Sequence, residues 1–109
     1  MAKYLVEASY SHEGLKGLLK DGGSGRKTAV EAAIKALGGR LESLYFAFGT
    51  ADVYGVGEFP DNVSAASFAL AVGATGAFAH FKTIVLLTTD ELDQAAKKAA
   101  GAAYRAPGQ

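Results

Sequence analysis

Apolar residues along this chain change period several times, and each change marks the end of one element and the start of another. Tyr4 to Tyr10 is short, rich in aromatic and branched residues, and runs into a polar Ser-His-Glu-Gly stretch. That pattern predicts a strand, β1, followed by a helix start. From Ser11 the spacing turns helical, with Leu15, Leu18 and Leu19 about one turn apart, until Asp21-Gly22-Gly23-Ser24-Gly25 predicts a loop. A second helical run opens at Ser24 or the glycine after it and carries Ala29, Val30, Ala33, Ile34 and Leu37 as a stripe that stops at Gly38 and Gly39. This run is the principal predicted helix, α1.

Leu41 to Phe48 and Asp52 to Phe59 are strand-like runs, β2 and β3, and Gly49-Thr50-Ala51 between them predicts a hairpin with a three-residue loop. Pro60-Asp61-Asn62 supplies helix-start chemistry for α2, Val63 to Val72. With Phe68, Leu70 and Val72 among alanines and only two serines, α2 is expected to be buried on most sides. Gly73 and Gly76 end it, and Ala77 to Leu87 reads as a long β4. Thr88-Thr89-Asp90-Glu91 matches a capping box, so a third helix, α3, begins near Thr89 and runs to about Ala103.

The order βαββαβ, with right-handed crossovers, places both main helices on one face of a four-stranded antiparallel sheet of spatial order 4-1-3-2. The predicted fold class is therefore α+β, a ferredoxin-like sandwich with an extra C-terminal helix. A chain of 109 residues, half of them apolar, has room for one core and not for two. Residues 1–104 form the single domain, and Arg105 to Gln109 a frayed tail.

The second face of that sheet is the open question. In β2, one parity holds Leu41, Ser43, Tyr45 and Ala47 and the other Glu42, Leu44, Phe46 and Phe48. In β4, Phe78, His80, Lys82, Ile84 and Leu86 alternate with Ala79, Phe81, Val85 and Leu87. Both faces are thus substantially apolar, and something other than water is expected to cover the one without helices. A homodimer packing two sheets face to face would do so. So would α3, folding back with its Leu92, Ala95, Ala96 and Ala99 stripe.

Eleven basic and eleven acidic side chains cancel, so no long-range field draws the chain to nucleic acid or to an anionic membrane. Cysteine is absent, which removes disulfides, thiolate metal sites and cysteine catalysis. Two histidines, His12 and His80, lie far apart with no ligand spacing, so no metal is expected, and no motif calls for a cofactor. No signal-peptide pattern and no apolar run of about 20 residues is present, and a cytoplasmic location is the expectation.

Matching strand parity gathers one constellation. Glu7 in β1, Tyr54 and Glu58 in β3, and His80 and Lys82 in β4 would project from the same open face, because β1 sits between β3 and β4. His80, Glu7 and Glu58 are the acid–base candidates, and Tyr54 and Lys82 the ligand-binding ones. The favoured reading of the same residues is a set of ion pairs and hydrogen bonds at a dimer interface, with Glu7 or Glu58 compensating Lys82 and His80. Gly22 to Thr28 is not a phosphate loop, since Arg26 separates Lys27 from the last glycine and a helix precedes it. Arg26 and Lys27 in a first helical turn nonetheless oppose the macrodipole, and a bound anion would relieve them. Gly55-Val56-Gly57 lies within a strand and is read as admitting a closely packed helix.

The run Tyr-Phe-Ala-Phe-Gly-Thr-Ala-Asp-Val-Tyr-Gly-Val-Gly-Glu-Phe-Pro-Asp from Tyr45, with Tyr4-Leu5-Val6, Leu37-Gly38-Gly39-Arg40 and the alanine-rich helix before Gly76, resembles the GYD-domain family over about Lys3 to Leu92. Gly49 and Asp52 match the Gly-x-Tyr-Asp-like motif, and Ala51 stands where the family usually has tyrosine. The resemblance implies a ferredoxin-like dimeric α/β fold and assigns no catalytic residue. From turn chemistry, Gly49 is expected at positive φ and Asp52 as an acceptor for loop N–H groups. A homodimeric module that binds a small molecule or a partner, and a cofactor-independent enzyme with an acid–base site on the open face, both fit these residues.

Overall fold

The computed structural model describes all residues, Met1 to Gln109. Its elements are β1 (Ala2–Tyr10), α1 (His12–Ala36), β2 (Arg40–Phe46), β3 (Val53–Phe59), α2 (Asn62–Gly73), β4 (Phe78–Leu86) and α3 (Thr89–Ala100). The four strands form one antiparallel sheet of order β2-β3-β1-β4, the expected ferredoxin-like arrangement.

Local chemistry fixes the junctions. Ser11 caps α1 by accepting from the Gly14 N–H at 3.1 Å, and its hydroxyl donates to the Gly76 carbonyl at 2.7 Å, so the start of α1 is tied to the entry of β4. Asp61 caps α2 by accepting from the Ser64 N–H at 2.8 Å, and the Tyr4 hydroxyl of β1 reaches Asn62 Oδ1 at 2.6 Å. The capping box of α3 is present in full: Thr88 Oγ1 accepts from the Glu91 N–H and Glu91 Oε1 accepts from the Thr88 N–H.

Three expectations about the elements and their connections need correction. The glycine-rich segment after Leu19 is not a loop: α1 runs through it, and only Gly22, at φ 74°, ψ 167°, leaves helical geometry, producing a kink. The β2–β3 connection is longer than three residues, spanning 47–52 and closed by the Ala47 N–H donating to the Asp52 carbonyl at 2.7 Å. Finally, α2 buries a narrow stripe of Ala65 and Phe68 and leaves Val63 and Leu70 about three-quarters exposed.

The core is small. Tyr4, Ile34, Phe59, Ala65 and Phe68 form its centre between the sheet and the helices, with Tyr4–Phe59 in an edge-to-face contact at 5.6 Å between ring centroids. No residue of α3 is buried, so this helix does not cover the open face of the sheet. No helix is long and apolar enough to cross a membrane.

Candidate functional site

The ladder registers decide which side chains share a face. On the open side, Lys82, Glu7, Tyr54 and Tyr45 form one row across the four strands, and Leu86, Lys3, Glu58 and Arg40 another. Between them Ile84, Leu5 and Val56 make a short apolar row, and Ser9 lies opposite His80. Glu7, Tyr54, Glu58, His80 and Lys82 therefore do share the open face. Glu7, His80 and Lys82 also line one recess of about 250 Å³, with Ser9, Thr50 and Ala51.

Tyr54 and Glu58 do not join that recess. Glu58 is taken by an ion pair with Arg40, directly across on β2, and the neighbouring Lys3 Nζ reaches Glu42 Oε1 at 2.6 Å. Lys3 is held above the usual lysine range and Glu42 below the usual carboxylate range, each chiefly by that shared hydrogen bond.

Two irregularities correct the view that both faces are uniformly apolar. In β2 the register shifts between Leu41 and Ser43, so Leu41, Leu44 and Phe46 all sit opposite helix-side positions of β3 while Arg40, Ser43 and Tyr45 face the other way. In β4 the register shifts opposite Ser9 and Tyr10, which pairs Phe78 with Tyr10 and puts the two rings in a stack at 4.8 Å. Apolar residues that strict alternation assigns to the open face are thereby returned to the helix side.

That helix side holds a site absent from the sequence-based expectations. A cavity of about 60 Å³ lies between sheet and helices, walled by Val30 and Ile34 of α1, Phe68 and Val72 of α2, and Leu44 and Val53 of the sheet. Gly55 and Gly57 line it too. Both sit at helix-facing positions of β3, where a larger side chain would occupy the space. A Cβ on Gly57 would meet Ile34 Cδ1 at 3.5 Å, ordinary contact, so this glycine does lie beside a helix as expected. One on Gly55 would instead meet Leu44 Cδ1 at 3.2 Å, within the sheet. Alternate glycines at helix-facing positions were the available signal for an underfilled sandwich.

Arg26 contributes the only charged side chain in the cavity wall. It lies in the first turn after the Gly22 kink and also lines an adjoining outer cleft of about 350 Å³ that shares Val72 and Phe78 with the cavity. Arg26 Nη1 lies 3.5 Å from Asp21 Oδ2. Tyr10 belongs to the same cleft, and burial pushes its phenol above the usual tyrosine range while the Arg26 guanidinium acts in the opposite direction. Lys27, grouped with Arg26 by sequence, is exposed and lines neither space.

The Gly49–Asp52 segment serves as a latch. Asp52 Oδ2 accepts from the Tyr10 N–H at 2.9 Å, the Asp52 N–H donates to the Ala8 carbonyl at 2.9 Å, and Ser9 Oγ donates to the Thr50 carbonyl at 3.0 Å. Asp52 thus secures the end of β1 and not, as turn chemistry suggested, the N–H groups of its own loop. Gly49 is not at positive φ either, and a Cβ there would meet nothing within 4 Å. Ala51 is buried at the position where the motif has tyrosine.

Comparison with known proteins bears on family and not on chemistry. No curated protein matches the chain. Among solved structures, an uncharacterized NIPSNAP domain protein from Burkholderia xenovorans is similar at 15% identity and a TM-score of 0.48, over 82% of this chain and 95% of that one. The GYD domain family matches residues 4–96, nearly the whole of the sandwich and the first turns of α3. On that match, the chain belongs to the GYD-domain family.

Proposed function

We propose that this domain is a homo-oligomeric small-molecule-binding module whose ligand enters the space between sheet and helices. The observation that carries the reading is the apolar cavity lined by Gly55 and Gly57 together with side chains of both helices. Its volume sets a limit on the ligand. Benzene occupies engineered apolar cavities of about 150 Å³, so a space of about 60 Å³ suits a slender aliphatic group that extends into the outer cleft.

Surface area supports the oligomer. A compact monomer of 11.2 kDa would expose roughly 5,700 Å², whereas this chain exposes 7488 Å². Its radius of gyration is 17.1 Å, against roughly 13 Å for a compact domain of this length. The excess of roughly 1,800 Å² is of the size each subunit buries in a permanent dimer. The Ile84, Leu5 and Val56 row and the unburied α3 are the surfaces a second copy would cover.

Thermal denaturation with and without 1-octanol tests the pocket, since a ligand of the native state raises the apparent stability. Wild type should be stabilised, and the cavity-filling Gly57→Ala variant less so. Equal stabilisation of both would count against the cavity. Sedimentation equilibrium tests the oligomer: wild type should run at twice the monomer mass and Ile84→Lys closer to the monomer.

A second reading is a cofactor-independent acid–base enzyme using His80 with Glu7. Its support is the recess that those two residues share with Lys82. A ligand whose stabilising effect is lost in His80→Ala but kept in Gly57→Ala would move the site to this face.

A further inference from the structure

The inference rests on the binding reading above and names the chemistry of the ligand. Apart from Arg26, every side chain in the cavity wall is apolar or glycine. The Arg26 side chain is only 31% exposed. A guanidinium keeps its charge in proteins and offers five N–H donors. Its one ion pair within the chain, with Asp21 at 3.5 Å, lies at the outer limit of hydrogen-bond geometry. A half-buried cation whose one ion pair is so long, placed where an apolar cavity opens into a polar cleft, is complementary to a ligand with an apolar tail and an anionic head. The Tyr10 phenol, beside Arg26 in the same cleft, is a second donor for that head.

We infer that the site takes a slender aliphatic monocarboxylate, the end of its chain lying among Val30, Ile34, Leu44 and Phe68, the rest of the chain in the outer cleft, and its carboxylate held there by Arg26 and Tyr10. Glu13 and Asp21 also line the outer cleft. These two carboxylates would attract an amine, so an amine is the necessary control. Glu13 is drawn partly towards Lys16, at 3.7 Å, and is exposed, whereas Arg26 reaches into the cavity wall itself.

The test is isothermal titration of the full chain with octanoate, 1-octanol and octylamine, which share a tail and differ in the head. Octanoate should bind wild type about tenfold or more tightly than 1-octanol, the effect of one hydrogen bond to a charged group. Arg26→Met should erase that preference while keeping the affinity for 1-octanol, which also shows that the variant is folded. Arg26→Lys, which retains charge but not the planar fork, should keep part of the preference and serves if Arg26→Met does not fold. Octanoate and 1-octanol binding wild type equally, or octylamine binding best, would overturn the inference. If such binding is still weakened by Gly57→Ala, the pocket itself stands. A preference for octanoate that survives Arg26→Met would also overturn it, and no binding by any of the three would overturn both the inference and the pocket.

Discussion

Filling the cavity from the β3 side should make the protein more stable and a poorer binder. In Gly57→Ala the new methyl would lie 3.5 Å from both Ile34 Cδ1 and Phe59 Cε2 and 3.8 Å from the Arg40 carbonyl oxygen, all ordinary contacts. Gly57 is not at positive φ, so alanine meets no backbone penalty there. Burying one methyl in apolar space contributes about 0.8 kcal/mol, and the narrower unfolded ensemble adds about 0.4–1 kcal/mol. The expected gain is therefore about 1–2 kcal/mol, read as a higher urea midpoint at unchanged slope and a Tm raised by roughly 4–8 °C per kcal/mol. Gly55→Ala is the internal control: its Cβ would press on Leu44 Cδ1 at 3.2 Å, so most of the gain should be cancelled. A loss of about 1 kcal/mol or more in Gly57→Ala would mean that the methyl strikes filled space, and the argument from the cavity would fail with it.

Other consequences are local. Glu91 accepts from the Thr88 N–H and Asp61 from the Ser64 N–H, and these bonds hold both carboxyls below their usual values of 4.5 and 3.8. A depressed folded-state value means that the stabilisation is present above the unfolded value and disappears as pH falls through the folded one. Unfolding free energy measured by urea between about pH 6 and about pH 3 should therefore fall with acid, and Glu91→Gln with Asp61→Asn should flatten the slope. Asp52→Ala should cost about 1–3 kcal/mol by stranding the Tyr10 N–H, and Asp52→Asn, which keeps an acceptor, should cost less. Gly14→Ala should destabilise by about 1–3 kcal/mol in the same assay, because the Cβ would collide with the Ala77 carbonyl oxygen.

The fold was legible because periodicity, caps and glycine stops agreed with one another. Thr88 to Glu91 states its capping box in the sequence, and Asp61 stands where α2 begins. The errors fall where one residue decides geometry that alternation averages over. An irregularity beside Glu42 and another opposite Ser9 transfer Leu41 and Phe78 to the helix side, and no local composition marks either. At Asp21 to Gly25 the residue types alone suggested a stop, whereas only Gly22 leaves helical geometry and the helix resumes at once.

The candidate site was legible in part. Strand parity gathered Glu7, His80 and Lys82 in one recess, because β1 lies between the other two strands. It could not separate Glu58, whose partner Arg40 becomes its neighbour only through the β2–β3 register. The cavity escaped because Gly55 and Gly57 were read only as room for a close helix, whereas the space beside them also depends on how the side chains of the two facing helices fill it.

The central claim, that ligand binds between sheet and helices, is tested most directly by titrating octanoate into methyl-labelled protein and following the spectrum by NMR. The cavity reading predicts saturable shifts at Val30, Ile34, Leu44 and Val53, with Leu5, Val56 and Ile84 on the opposite face of the sheet unmoved. Shifts confined to Leu5, Val56 and Ile84, or none at any of the seven, would contradict it.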